Sequence, residues 1–249
     1  MAGTAVPRGL TSRPLVWRVA RLAAERWETP TARTLTFDVP NWPGHLPGQH
    51  VDVRLTAPDG YSTQRSYSLA RPDRVELTVE RLDDGEVSPY LVDILAVGDE
   101  IELRGPVGGW FVWRPTGRRP VLLLAGGSGI VPLMAMIRAR REESSGTPFR
   151  LLYSVRSPAD VYYKDELGHP EPGLDVTCLF TRETPEGWPR PPGRLTASDL
   201  SRRAGLADSD PDCFVCGPTG FVEAAANLLV AHGQDPQRIK TERFGPTGG

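Results

Sequence analysis

Val121-Leu122-Leu123-Leu124-Ala125, then Gly126-Gly127-Ser128-Gly129, then Ile130-Val131-Pro132-Leu133-Met134-Ala135-Met136-Ile137: this stretch decides the fold. A short, wholly apolar run bounded by glycines is the mark of a strand buried on both faces. The run that follows, as far as Arg141, reads as a helix. Residues 121–137 are almost membrane-like, but the glycines and Pro132 interrupt them well short of the roughly 20 apolar residues a span needs. Small residues between strand and helix let backbone N–H groups approach an anion at the positive helix end. Pro132 occupies the third glycine position of G-x-G-x-x-G, Ile130 replaces the last glycine of G-x-S-x-G, and no Gly-Lys-Ser/Thr follows. A plain strand–helix turn remains the alternative, and the helix-terminus argument favours an anion site.

Downstream the alternation continues. Strands are expected at Phe149 to Val155, Leu174 to Phe180, Cys213 to Cys216 and Arg238 to Phe244. Helices are expected near Val161 to Leu167, after Thr196, and from Phe221 to His232 with Gly233 closing the last. Alternating strand and helix implies a mostly parallel sheet covered on both faces. Upstream, Arg114 to Pro120 reads as a linker, and the pattern before it is different. Ala32 to Val39, His50 to Leu55 and Val75 to Leu82 alternate apolar and polar residues, separated by Gly/Pro turns. One short helix, Pro89 to Leu95, is expected there, with Ser88 as N-cap. Many short strands of this kind suggest an antiparallel barrel.

With 249 residues, 39% hydrophobic, the chain can fill two modest cores. Its net charge of −2 points away from nucleic acid. Three cysteines make no disulfide framework and fit a reducing cytosol. Met1 to Arg13 has no signal-peptide core and reads as a disordered lead-in. The four histidines are scattered, without metal-ligand spacing.

Several short segments carry chemistry. In Arg65-Ser66-Tyr67-Ser68 the arginine can clamp a phosphate, the tyrosine can cover a flat ring, and Ser68 can bond a ring nitrogen. An exposed strand with a surface arginine and a core tyrosine is the plainer reading. Gly85-Glu86-Val87-Ser88, after Asp83-Asp84, is a second anion site or an ordinary turn with its cap. Cys213 and Cys216 lie in one buried strand, which argues against a redox pair. Cys216, before Gly217-Pro218, sits at a strand end, where open α/β sheets bind ligands. Arg156, Thr181-Arg182 and Arg194 could together grip a phosphate monoester. They could equally be surface cations countered by Glu166 and Glu183. Trp110 and Trp113 read as packing residues, with Trp110 able to cover a cofactor edge.

The order of these pieces resembles the ferredoxin–NADP reductase superfamily: Arg65-Ser66-Tyr67-Ser68, Gly85-Glu86-Val87-Ser88, Gly105-Pro106-Val107-Gly108-Gly109, Gly126 to Pro132, Cys216-Gly217-Pro218, and a closing Glu242-Arg243-Phe244. The similarity runs from about Val16 to Phe244. It implies a six-stranded antiparallel Greek-key β-barrel with one short helix that binds flavin, followed by a Rossmann-like α/β domain that binds NAD(P). The corresponding boundaries are a lead-in 1–14, a flavin domain 15–114 and a nucleotide domain 115–249. By resemblance Arg65 binds the flavin phosphate, Ser66 belongs to the flavin site, Tyr67 packs on the ring, Ser68 approaches N5, and Gly85, Glu86, Val87 and Ser88 hold the pyrophosphate. Gly127, Ser128 and Gly129 hold the nucleotide pyrophosphate, and Gly217 and Pro218, after Cys216, also bind NAD(P). Cys216 lies near the nicotinamide, Glu242 aids proton delivery, and Phe244 shields the flavin, although five residues follow Phe244 here.

FAD is expected rather than FMN. Arg156, Thr181, Arg182 and Arg194 favour NADPH, with Asp160 and Glu183 leaving room for NADH. Some relatives carry a fused ferredoxin with four cysteines. This chain has too few, so a stand-alone, monomeric, cytoplasmic reductase is expected. Its acceptor would be a separate ferredoxin, flavodoxin, haem protein or oxygenase component. A subunit without its own turnover and an NADH-dependent flavin reductase are the alternatives.

Overall fold

The computed structural model describes residues 15–116, 119–203 and 210–245, without the side chains of 201–203. The expected lead-in, the middle of the expected linker and residues 246–249 lie outside these. Two lobes pack against each other. The first is an antiparallel sheet of six strands in the order β4-β3-β6-β1-β2-β5. These are β1 (Trp17–Thr29), β2 (Ala32–Asp38), β3 (His50–Thr56), β4 (Ser62–Ser68), β5 (Val75–Glu80) and β6 (Glu100–Val107). An isolated Leu69–Leu77 bridge joins the two edges. Leu22, Leu35, Val51, Val53, Leu77 and Leu103 fill the interior.

The second lobe is a five-stranded parallel sheet in the order β11-β10-β7-β8-β9. Its strands are β7 (Val121–Gly126), β8 (Phe149–Val155), β9 (Leu174–Phe180), β10 (Asp212–Pro218) and β11 (Ile239–Phe244). The quoted stretch behaves as its composition requires, since β7 is buried at every position. Helix α2 (Ile130–Glu142) is buried from Ile130 through Arg140, because it lies between the sheet and the first lobe. Its apolarity on all sides reflects burial by two partners, not by lipid. Among the described residues no helix is long and apolar enough to cross a membrane.

Four local expectations are corrected. The helix of the first lobe starts earlier than Pro89. Helix α1 (Val87–Pro89) runs into a π-turn at Tyr90–Ile94, and Glu86 is its N-cap. Ser88 is inside it and accepts a hydrogen bond from the Leu82 N–H at 3.1 Å instead of capping. Strand β5 ends at Glu80, and its polar residues do not face water: Glu76 and Thr78 are buried against the second lobe. The helix after β8, α3 (Lys164–Gly168), starts late because Tyr163 takes φ +54°. That disfavoured conformation is held by contacts across the seam. The Tyr163 N–H donates to Glu28 at 2.8 Å and its hydroxyl shares a hydrogen bond with Thr78 at 2.5 Å. Trp110 is 63% exposed, so only Trp113 packs, edge-on against Phe149. Helices α4 (Ala197–Arg203) and α5 (Thr219–Ala231) fall where expected, and Gly233 donates back to Val230 after α5.

Arg138 is the polar centre of the seam. Its guanidinium, 5% exposed, bonds Glu76 Oε1 at 2.8 Å and the Ala70 carbonyl at 2.9 Å in the first lobe. On its own side it bonds Glu166 at 2.6 Å. Glu166 also receives Arg141, so it is not the counter-charge to the arginines at 156, 182 and 194.

Candidate active site at the seam between the lobes

Strand alternation sets the geometry of Arg65-Ser66-Tyr67-Ser68. Arg65 and Tyr67 stand opposite Val53 and Val51 of β3, while Ser66 stands opposite Asp52. The Ser66 hydroxyl donates to Asp52 at 2.7 Å, and Arg104 pairs with the same carboxylate. These partners hold Asp52 below the usual carboxylate range against the opposing effect of burial. The Ser66 hydroxyl is therefore engaged with Asp52. Arg65 is exposed, bonding only the Gln64 carbonyl and Thr63 Oγ1. No carboxylate neutralises it among the described residues. Tyr67 is half-buried on the rim of the barrel core, and burial pushes its phenol up.

A charge-bearing arginine without a carboxylate, two residues from a part-covered aromatic on the same strand face, fits a phosphate-tailed flavin. At the neighbouring turn Val87 and Ser88 are buried, the Gly85 N–H is bonded to Leu82, and exposed Glu86 accepts from Tyr61 at 3.2 Å. Glu86, the N-cap of α1, makes no side-chain cap hydrogen bond.

Ser68 leads from the first lobe to the second. Its hydroxyl donates to Glu242 Oε1 at 3.4 Å, across 174 residues of sequence. Glu242 is on β11, paired with Cys216 of β10. Burial pushes the Glu242 carboxyl up to about 7, only partly offset by Ser68. Cys216 is fully covered; burial, and then the nearby Glu242, push its thiol well above the usual range. Cys213 and Cys216, three residues apart, fall on opposite faces of the sheet, in separate cores, as an odd spacing on a strand requires. Both are free thiols.

Because the folded-state pKa of Glu242 is raised, its buried carboxyl costs nothing below about pH 4.5, where it is protonated in folded and unfolded chains alike. The cost grows as pH rises toward 7. Glu242→Gln should therefore match the parent in thermal stability at pH 4.5 and exceed it at pH 8, by roughly 2–3 kcal/mol at about 1.4 kcal/mol per pKa unit. A stability difference independent of pH would refute a buried, ionising Glu242.

The glycine turn forms one wall of a cleft of about 410 Å³ between the lobes. Gly126, Gly127, Ser128, Arg156, Thr181, Arg194, Pro218 and Phe244 all line it. Gly127 has φ +54° with open space where a Cβ would stand, so its backbone is uncovered for a ligand. Gly129 has the opposite role: a Cβ there would lie 2.1 Å from the Cys216 carbonyl oxygen. Helix α2 begins there without a side-chain cap, leaving N–H donors for an anion.

Gly129, Cys216, Gly217 and Arg182 are not part of the cleft wall. Gly129 and Gly217 shape it from behind, and Arg182 is exposed outside it. Asp160 lines the cleft, but its Oδ2 accepts from both the Ser157 N–H and hydroxyl, at 2.8 and 2.7 Å. Reading the sequence alone missed Thr29, Thr31 and Glu80, which the first lobe contributes to the same cleft. Glu80 ends an alternating strand and carries no local signal. Among the described residues no cluster of His, Cys, Asp and Glu could hold a metal.

Comparison with known proteins agrees with this geometry. Residues 20–112 match the oxidoreductase FAD-binding domain family and residues 123–227 the oxidoreductase NAD-binding domain family. The chain is 32% identical over 242 residues to the glycine betaine monooxygenase reductase subunit of Chromohalobacter salexigens, covering 92% of this chain and 64% of that protein. It is 32% identical over 199 residues to the propane 2-monooxygenase reductase component of Mycolicibacterium smegmatis, covering 75% and 55%. The chain thus spans less than two thirds of the length of these relatives. Among solved structures, a ferredoxin reductase in carbazole 1,9a-dioxygenase superposes with a TM-score of 0.80 at 26% identity, covering 94% of this chain and 70% of that one. An FAD-binding lobe followed by an NAD-binding lobe, joined at a shared cleft, places the chain in the ferredoxin–NADP reductase superfamily of flavoprotein oxidoreductases.

Proposed function

We propose that this chain is the reductase of an oxygenase system. It would take hydride from NADPH onto bound FAD and release single electrons to a separate oxygenase component or its ferredoxin. The observation that carries the reading is the Ser68–Glu242 contact. It joins the flavin-type strand of one lobe to the strand beside Cys216 in the other, and Phe244, two residues beyond Glu242 on that strand, lines the cleft that the glycine turn walls. The relatives named above are reductase components of oxygenases, which supports the choice of acceptor.

The flavin, when bound, supplies the change from two-electron to one-electron chemistry. The chain supplies position and electrostatics. Arg65 and the Glu86 and Val87 N–H groups hold phosphate, and Tyr67 covers the ring. Gly127 and Ser128 receive the nucleotide pyrophosphate. Phe244 lies where a nicotinamide must enter. Ser68 and Glu242 can pass a proton near the reacting ring, since burial raises the Glu242 carboxyl to about 7.

NADPH is favoured because Arg156, Thr181 and Arg194 share the cleft. Three free thiols support a cytoplasmic setting. Anaerobic titration tests the reading: the yellow protein should bleach with NADPH in the absence of any partner. Arg156→Ala should lower the NADPH-to-NADH ratio of kcat/KM about tenfold, the worth of one charge-assisted contact. Failure to bleach would favour a subunit without turnover of its own, and loss of flavin on dialysis would favour a flavin reductase. An unchanged ratio would remove the 2′-phosphate assignment.

A further inference from the structure

Glu80 is unexplained by anything above. It comes from the flavin lobe, at the end of β5, yet lines the nucleotide cleft together with Thr29 and Thr31. It pairs with Ala32 in the sheet, and the adjoining Arg81 N–H donates to the Thr31 carbonyl at 2.8 Å, so its backbone is fixed. Tyr162, from the other lobe, lines the same cleft; it is 3% exposed and its own N–H donates to Tyr153 at 3.3 Å. No arginine, lysine or histidine forms an ion pair with Glu80 among the described residues. A carboxylate has about four acceptor positions.

Such a group is a poor neighbour for phosphate and a good one for a hydroxyl. The cations of the cleft, Arg156 and Arg194, come from the other lobe, beyond the ends of β8 and β9. A dinucleotide whose phosphates lie on the glycine turn and on those arginines offers the flavin lobe its nicotinamide half, because that ring must reach Ser68 and Glu242. The donors on that half nearest the pyrophosphate are the ribose hydroxyls. Carboxylate-to-ribose hydrogen bonding is a common way for proteins to hold nicotinamide nucleotides.

We propose that Glu80, fixed by the sheet at the cleft wall, accepts a hydrogen bond from the nicotinamide-side ribose of the bound pyridine nucleotide, so that the flavin lobe supplies a nucleotide ligand of its own. This rests on the reading of the cleft given under Proposed function.

The test is calorimetric titration of flavin-loaded protein with NADP⁺ and, separately, with 2′,5′-ADP, which lacks the nicotinamide ribose. Glu80→Ala should weaken NADP⁺ about tenfold or more, the loss expected for a hydrogen bond to a charged group. It should leave 2′,5′-ADP within about twofold, by the same reasoning. Glu80→Gln, which keeps an acceptor, should recover part of the loss. Tyr162→Phe should stay within about twofold of the parent for NADP⁺, since the ribose contact is Glu80's.

Unchanged or tighter NADP⁺ binding in Glu80→Ala would overturn the proposal. So would equal weakening of 2′,5′-ADP, which would mean a general effect on the cleft, and so would an equal loss in Tyr162→Phe, which would make the pair a strut between lobes. If the unsubstituted protein bound neither ligand, the cleft reading itself would fail. Binding by the parent with no response at Glu80 would remove this proposal alone.

Discussion

Gly129→Ala is expected to yield a protein that keeps its flavin but is reduced by nicotinamide nucleotide at about a hundredth of the parent rate or less. The reason is steric. The added Cβ would lie 2.1 Å from the Cys216 carbonyl oxygen, 2.4 Å from its carbon and 2.7 Å from the Gly217 nitrogen. All three are backbone atoms of β10, which is clamped between β7 and β11, so no flexible side chain can give way. Overpacking costs about 1–3 kcal/mol even where side chains can adjust, and here either the glycine turn or the end of β10 must move. The turn carries Gly127 and Ser128, and the end of β10 carries Cys216 beside Glu242. A shift of about 1 Å at such a site is enough for a rate loss of this size. The flavin strand β4 is in the other lobe and is untouched. Bound-flavin absorbance and anaerobic stopped-flow reduction check the two halves of the expectation. A normal rate would show that the turn does not set nucleotide position.

Arg138→Ala should destabilise the protein by about 3–5 kcal/mol, the usual cost of removing one partner of a buried ion pair. Glu76 would be left at 8% side-chain exposure with only a long contact to Thr36 at 3.4 Å. The Ala70 carbonyl would also lose its donor. The pair itself need not be stabilising relative to an apolar seam. Arg138→Met combined with Glu76→Leu should accordingly recover most of the loss, a non-additivity expected of residues in contact. Chemical denaturation followed by lobe-specific probes would measure this. A single-variant cost below about 1 kcal/mol would mean that the seam opens to water and solvates Glu76.

Legibility in the sequence followed the range of the interaction. The parallel lobe could be read almost strand for strand, because burial on both faces leaves wholly apolar runs such as Val121 to Ala125. In the barrel, β1 left no clear mark. Trp17–Thr29 is rich in alanine, arginine and glutamate, residues that favour helix, and only pairing with β2 and β6 on its two sides holds it extended. Strand β4 is polar on both faces, with no buried residue along its length. It was noticed for its arginine and tyrosine alone. At β5 the alternation was real but its meaning was inverted, since the polar face meets Arg138 and Tyr163 rather than solvent. The site divides in the same way. Segments with a local signature, the glycine turn and Arg65 to Ser68, stood out. Glu80, Thr29 and Thr31 did not, because they are ordinary residues that become a cleft wall only when the second lobe arrives.

From the order of its residues alone, this chain dictates two lobes of different architecture and the turns at which each can meet an anion. Those are consequences of periodicity and of glycine and proline geometry, which act over a few neighbours. Which carboxylates are ionised, which are spent on partners and which face the cleft was decided by the packed seam. Glu76 is matched by Arg138, one oxygen of Asp160 is bonded to Ser157, Glu242 is driven toward neutrality beside Ser68, and Glu80 is left with acceptor capacity. Desolvation and pairing between lobes set those states, and both arise only when residues far apart in the chain exclude water together.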